Sequence, residues 1–365
     1  MPETTEREFP CEQCGAELKF QPGAVVLKCP YCTHENAIPQ LAAEIEEIDY
    51  HAAIADLANH SDTIEVQTVK CQGCAGEYTR QHSVTSDECP YCGTPIVTTG
   101  GSTRLMRPKS LLPFLITSEQ GMELFRKWIV SLWFAPNALK RYARNEGKLS
   151  GMYVPYWTYD SNTISHYSGQ RGDDYYVSQT YTTTENGRTV TRTRQVKKTR
   201  WRWVSGTVHV NFDDVLVLAS TSLPKKYADA LEPWDLQNLT PYQDAYLAGM
   251  RAESYHLNVE QGFDVAKGIM DEQIRAAIRR DIGGDHQRIH DVSTQHRDLT
   301  FKHILLPIWI SAYRYMEKVF RFLVNGRTGE VQGERPYSWI KITLFVLTIL
   351  AAIGGIVALV ASGKG

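Results

Sequence analysis

Ile342-Thr-Leu-Phe-Val-Leu-Thr-Ile-Leu-Ala-Ala-Ile-Gly-Gly-Ile-Val-Ala-Leu-Val-Ala361 is a run of twenty residues in which only Thr343 and Thr348 are polar. At about 1.5 Å per residue, a helix of this length measures about 30 Å, the hydrocarbon thickness of a bilayer. A core helix of a soluble domain normally carries a polar stripe, and this run has none. It therefore reads as a transmembrane helix over residues 339–361. Only Ser362-Gly363-Lys364-Gly365 follows, which puts the rest of the chain on one side. Lys318, Arg321, Arg327, Arg335 and Lys341 precede the span against Lys364 beyond it. The positive-inside rule then predicts a single pass through the cytoplasmic (inner) membrane with the N-terminal body in the cytoplasm. The acidic opening, Met1-Pro-Glu-Thr-Thr-Glu-Arg-Glu8, leads into no apolar stretch and so does not read as a secretory signal. Tyr337 and Trp339, with Arg335 and Lys341, have the composition of an interfacial anchor.

The net charge of −2 conceals an asymmetry. Residues 1–100 hold 16 Asp and Glu against 5 Lys and Arg, so an acidic head precedes a basic, membrane-proximal body. All eight cysteines lie in that head: Cys11, Cys14, Cys29 and Cys32, then Cys71, Cys74, Cys89 and Cys92 at a constant offset of 60. Paired CxxC turns each aim two thiolates at one point, and two such turns complete a closed tetrahedral site of four cysteines with no position left for substrate. The reading is two structural Zn2+ ions in rubredoxin-like zinc ribbons, at 1–36 and 67–97. Segments this short bury too little apolar area to fold alone, so metal binding would supply about 10 kcal/mol per site. Iron suits four thiolates too, and zinc is favoured over it. Cys29-Pro-Tyr-Cys32 and Cys89-Pro-Tyr-Cys92 also match a glutaredoxin-type dithiol, but that chemistry uses one pair, whereas here every pair has a partner. A disulfide framework conflicts with a reducing cytoplasm. His34 and His82 read as bystanders.

Between the ribbons, Leu41, Ile45, Ile48, Ala52 and Ala55 recur at helical spacing, predicting a helical spacer over 37–66 with the helix itself at 39–58. The polar, Gly-containing stretch Thr98-Thr-Gly-Gly-Ser-Thr103 predicts a linker over 98–110. An α+β body with β-hairpins follows at 111–336. Thr117-Ser-Glu-Gln120 is a capping box ahead of a helix burying Phe125, Trp128, Ile129 and Leu132, and Asn258 with Gln261 opens the clearest helix of the body.

Asn186-Gly187 is the strongest hairpin signal. Registering the strands about it sets Tyr175, Val177, Gln179 and Tyr181 opposite Lys198, Val196, Arg194 and Arg192, and Arg200 and Arg202 continue the row. Residues 188–202 carry seven Lys and Arg and no acid. Anionic lipid headgroups, an acidic protein, nucleic-acid phosphates, or a solvated face partly paired with Asp173 and Asp174 would each account for it.

No GxxxxGK[ST] loop, GxSxG elbow or GxGxxG after a strand occurs, so no catalytic residue is assigned and the chain does not read as an enzyme. His286-Gln-Arg-Ile-His290 has the zincin spacing but Gln287 where the Glu base belongs. Gly354, Ala358 and Ser362, with Ala351 and Gly355, form a small-xxx-small pattern that allows homo-oligomers through the span.

The doubled cysteine quartets, Leu112-Pro-Phe114, Phe212-Asp-Asp-Val-Leu-Val217, Ala230-Leu-Glu-Pro-Trp-Asp235, Arg280-Asp-Ile-Gly-Gly-Asp285, Thr300-Phe-Lys-His-Ile-Leu-Leu-Pro307 and Phe322-Leu-Val-Asn-Gly-Arg-Thr-Gly-Glu-Val-Gln-Gly-Glu-Arg-Pro336 carry a resemblance over almost the whole chain. On them the chain resembles the bacterial zinc-ribbon membrane proteins associated with phage-shock-protein-A-like and SPFH (flotillin-like) proteins. Such proteins are often labelled primosomal protein N′ or superfamily II helicase, a label the missing nucleotide loop argues against. The resemblance implies a non-enzymatic membrane adaptor in envelope-stress or membrane-organising assemblies, with SPFH or phage-shock-A-like partners. The alternative is nucleic-acid binding through the ribbons or the basic hairpin, which the acidic head disfavours because phosphate contacts need positive charge.

Overall fold

The computed structural model describes residues 9–38, 45–57, 63–72, 76–79, 86–92, 94–97, 101–139, 141, 149–185, 188–315, 318–335 and 337–362. In chain order, β1 (Val26–Lys28) and β2 (Glu35–Ala37) form a hairpin, and β3 (Ile48–Asp49) leads into α1 (Tyr50–Leu57). Then come β4 (Thr63–Lys70), β5 (Glu77–Thr79), the hairpin of β6 (Ser86–Glu88) and β7 (Pro95–Val97), and β8 (Gly101–Met106). β4 lies between β5 and β8 in a three-stranded sheet. The body continues with β9 (Ser110–Leu111), α2 (Ser118–Ser131), β10 (Ser150–Glu185), β11 (Arg188–Leu218) and α3 (Lys225–Asp229). β12 (Thr240–Pro241), β13 (Arg251–Ala252), α4 (Val259–Ile282), β14 (His286–Tyr315), β15 (Lys318–Asn325), β16 (Val331–Gly333) and α5 (Trp339–Ser362) complete it.

Three strands dominate this mixed α+β fold. β10, β11 and β14 run 36, 31 and 30 residues, and the main sheet has the order β11-β10-β14-β15-β16. Sequence periodicity indicates several shorter strands here, because alternation with an apolar inner face lapses after Tyr167. Pairing carries the strands on: Thr, Val, Tyr, Trp and Arg fit a pleated surface, and each length of strand has a hydrogen-bonded neighbour. The register about Asn186-Gly187 is the one the turn dictates. Residues 186 and 187 themselves lie outside the described residues, but Glu185 pairs with Arg188 and Tyr181 with Arg192.

α4 sets how much of this sheet is covered. Asn258 and Gln261 make the reciprocal capping box at its start, and Gly283, at φ 63°, ends it. Its buried stripe, Val259, Phe263, Ala266, Met270, Ile274, Ile278 and Ile282, follows a 3.6-residue period. Gly262 sits against Trp157 and Tyr159, where any Cβ would clash, and Ile282 reaches Gly169. The helix, about 36 Å long, thus shadows the strand from about residue 159 to 169, close to the same distance at about 3.3 Å per residue. β14 pairs with β10 only as far as Gly172 opposite His286. Beyond that rung β10 and β11 continue to Glu185 and Arg188, about 40 Å further, as a two-stranded arm with no third strand among the described residues.

Two expectations are corrected. Of the helix expected at 39–58, the described residues hold α1, with 45–49 non-helical before it; residues 39–44 and 58–62 lie outside the described residues, and 63–66 belong to β4. The expected linker 98–110 contains β8, paired with β4 from Gly101 opposite Thr68 to Met106 opposite Thr63. A polar Thr- and Ser-containing stretch looks like a loop in isolation and becomes a strand when a partner takes up its backbone hydrogen bonds.

Among the described residues one helix, α5, is long and apolar enough to cross a membrane; its first eighteen residues have a mean hydropathy of 2.1 and none is buried against protein.

Candidate metal centres

The sulfur atoms of Cys11, Cys14, Cys29 and Cys32 all lie within 4.8 Å of one another, as do those of Cys71, Cys89 and Cys92; Cys74 lies outside the described residues. The closest sulfur pairs are Cys11–Cys32 and Cys14–Cys29 at 3.5 Å and Cys71–Cys92 at 3.6 Å. A disulfide would need about 2.05 Å. Four thiolates about 2.3 Å from a central ion stand about 3.8 Å apart, so this spacing fits tetrahedral sulfur coordination of zinc.

Local backbone explains why the thiols converge. Each first cysteine donates its N–H five residues on, Cys11 to Ala16, Cys29 to His34, Cys71 to Gly76 and Cys89 to Thr94, closing the same tight turn four times. In the first cluster the residue after each pair takes a left-handed conformation: Gly15 at φ 72° and Thr33 at φ 61°. The buried Asn36 ties both turns together. Its amide donates to Leu27 O and toward Cys11 Sγ, and its Oδ1 accepts from Glu12 N–H.

The thiols are unequal before any ion binds. Burial opposes ionisation of Cys11, but the N–H groups of Cys14 and Gln13, with Cys32 and Asn36, lower it to about 6. At Cys32 the N–H of His34 favours the thiolate, yet burial and the facing Cys14, Cys11 and Cys29 raise it to about 12.

Neither cluster stands free of the body. Around the first, Leu18, Phe20, Leu27 and Ile38 join a core with Tyr246 and Leu247; Phe20 N–H donates to Ala248 O and its ring meets Tyr246 edge-on at 5.3 Å. The second joins a core with Met152, Tyr156 and Leu306. Equivalent residues of the two CPYC turns have opposite fates: Tyr31 is 81% exposed and Tyr91 is 0% exposed. Tyr91 lies over Gly76, its hydroxyl donates to Met152 Sδ at 3.0 Å, and its carbonyl accepts from Arg321 Nε at 3.1 Å. Beside it is Glu253, buried, accepting from the Ser220 hydroxyl, and pushed up to about 7, chiefly by burial. Tyr78 bridges to the backbone of Glu253, so the second cluster is stitched to the body by strand pairing as well as by side chains.

A polar cluster not anticipated from sequence lies where β10 bulges at Asp160. Asp160, Asp213 and Asp214 bring carboxylates together, and Lys302 Nζ sits among them, 2.8 Å from Asp214, 3.6 Å from Asp160 and 3.2 Å from Glu47. Burial raises Asp160 to about 6, against the Asp214 N–H and Lys302, which favour its charge. The ammonium is already the cation of this site. A lysine inside the apolar run Thr300-Phe-Lys-His-Ile-Leu-Leu306 was the available sequence signal.

On the arm, the five basic residues share one exposed row, with Arg192 opposite Tyr181, Arg194 opposite Gln179, Lys198 opposite Tyr175, Arg200 opposite Asp173 and Arg202 opposite Arg171. Arg194 donates to Gln179 Oε1 and lies 5.5 Å over Tyr181, Arg200 lies 5.2 Å over Tyr175, and Arg202 pairs with Asp173 at 3.2 Å. His286 and His290 are four strand residues, about 13 Å, apart and cannot share an ion.

The chain is similar to a protein of Bacillus subtilis (strain 168) that bears the name uncharacterized protein YdjG, with 24% identity over 331 residues that cover 90% of each chain. No family model matches this sequence, and no solved structure matches it.

Proposed function

We propose that this protein is a non-enzymatic, membrane-anchored adaptor: α5 crosses the cytoplasmic membrane with the body in the cytoplasm, two Zn2+ ions in four-cysteine ribbons lock the head onto the body, and the β10–β11 arm meets the partner. The arm is the observation that carries the reading. It leaves the sheet as a two-stranded ribbon with seven basic residues on β11 against three acidic ones in β10, and Tyr175, Tyr176 and Tyr181 exposed. Its tip is 34 residues from Gly151, which pairs with Trp309 near the opposite end of the sheet, or about 110 Å of strand. That reach favours the acidic surface of a protein over headgroups around the anchor. The ribbons contribute rigidity in this proposal and do not act as free fingers, consistent with the burial of Tyr91. An SPFH-like or phage-shock-A-like partner is the one the family resemblance implies.

The test uses full-length protein in native membranes, with a photo-cross-linking residue at Tyr176 or, as control, at Tyr31. Tight membrane association, about two zinc ions per chain and a discrete protein adduct from position 176 alone are expected. Free solubility, no tightly bound metal, or an arm that captures nucleic acid would overturn the reading.

A further inference from the structure

The loop after α2 reaches the level of α5 that a bilayer would occupy. Ser338 N–H donates to Phe134 O, Lys341 Nζ donates to Ala135 O at 2.7 Å and Asn137 Oδ1 at 2.9 Å, and the Phe134 ring meets that of Phe345 at 5.4 Å. Phe345 is six residues past Trp339, about 9 Å along the axis. α5 has 24 residues, about 36 Å, and exceeds a 30 Å hydrocarbon layer by little more than one turn. The apolar run Ile342–Ala361 fills that layer, so the turn before it belongs to a headgroup layer and Phe345 lies just inside the hydrocarbon boundary. A side chain packed on Phe345 is at that boundary too.

Trp133, next to Phe134, is 74% exposed, and Val130 on the last turn of α2 is 55% exposed. Tyr337 and Trp339, also exposed, flank Ser338, whose N–H meets Phe134 O at the base of α5. Arg335 and Lys341 add positive charge there, and Arg335 lies 5.4 Å over Trp128. Lys341 donates to the loop, which fixes the loop's height against the helix. Exposed tryptophan beside fixed cations at this depth is the composition of a membrane interface.

We propose that residues 132–136, with Trp133 at the tip, are a second membrane contact: a monotopic wedge in the headgroup layer that sets the tilt of the body on the bilayer. It rests on α5 being a membrane span. α2, whose Phe125 and Trp128 pack on Phe322, passes that orientation to the main sheet and so to the direction of the arm.

Full-length protein carrying benzoylphenylalanine at position 133, 339 or 31 would be reconstituted in vesicles of phosphatidylcholine and phosphatidylglycerol and irradiated. Lipid adducts at 133 within about threefold of those at 339, and none at 31, are expected for an interfacial aromatic. Adducts at 339 without adducts at 133 overturn the wedge and leave the span intact. No lipid adduct at 339 overturns the span itself. A protein adduct at 133 in place of lipid also overturns the wedge, assigning the loop to a second copy or a partner.

Discussion

The two CPYC tyrosines form an internal control for how the head is held. Tyr91 buries its whole ring beneath the second cluster, whereas Tyr31 projects from the first. Truncating Tyr91 to alanine removes about 150 Å2 of ring area, which at about 25 cal/mol per Å2 is about 4 kcal/mol. That lies within the usual cost of about 3–5 kcal/mol for a buried aromatic. The same change at Tyr31 should stay within about 0.5 kcal/mol. Neither residue is a metal ligand, so zinc content should not change. Hydrogen exchange by mass spectrometry on the zinc-loaded protein in detergent reads local opening directly. In the Tyr91→Ala variant, amides around Cys89 and Cys71 should exchange about 1,000-fold faster, the factor that corresponds to 4 kcal/mol. The equivalent amides around Cys29 should barely respond to Tyr31→Ala. Equal effects of the two substitutions, or no effect of either, would refute the argument that burial of Tyr91 clamps the second cluster to the body.

Three further outcomes are expected. Glu253 is held up to about 7 against an unfolded value of 4.5, so folding takes up a proton between those values and stability falls as pH rises through that window, by about 3 kcal/mol in all; thermal melts of Glu253→Gln should lose this slope, and an unchanged slope would count against it. Lys302→Met leaves Glu47, Asp160 and Asp214 without their cation and should cost about 3 kcal/mol at pH 8. Melting curves should show that loss shrinking toward pH 5, because Asp160 is already raised to about 6 and becomes neutral there; a pH-independent loss would speak for packing alone. Thr33→Gly relieves a β-branched residue at φ 61° where the companion turn has glycine, a gain of about 1 kcal/mol, which should slow zinc transfer to a chromogenic chelator; faster transfer would mean the Thr33 hydroxyl bond to Cys32 O outweighs the strain.

Sequence alone determined what depends on neighbours along the chain. CxxC pairs place two thiols within one turn, an unbroken apolar run can only be covered by lipid or protein, and capping boxes start α2 and α4 where Thr117 and Asn258 stand. The cross-strand partners of Arg192, Arg194 and Lys198 followed from a two-residue turn, since period two propagates along a hairpin without further information. Tertiary structure decided the rest. That Tyr91 is buried while Tyr31 is exposed depends on Met152 and Gly76, not on the shared CPYC turn. How far β10 is flanked on both sides depends on β14, more than a hundred residues away, and how far it is covered on where α4 stops. The ammonium among Asp160, Asp214 and Glu47 is assembled from four separate segments. Such features arise from which surfaces meet once the chain is closed, and the free energy that selects them is spread over contacts no local window contains.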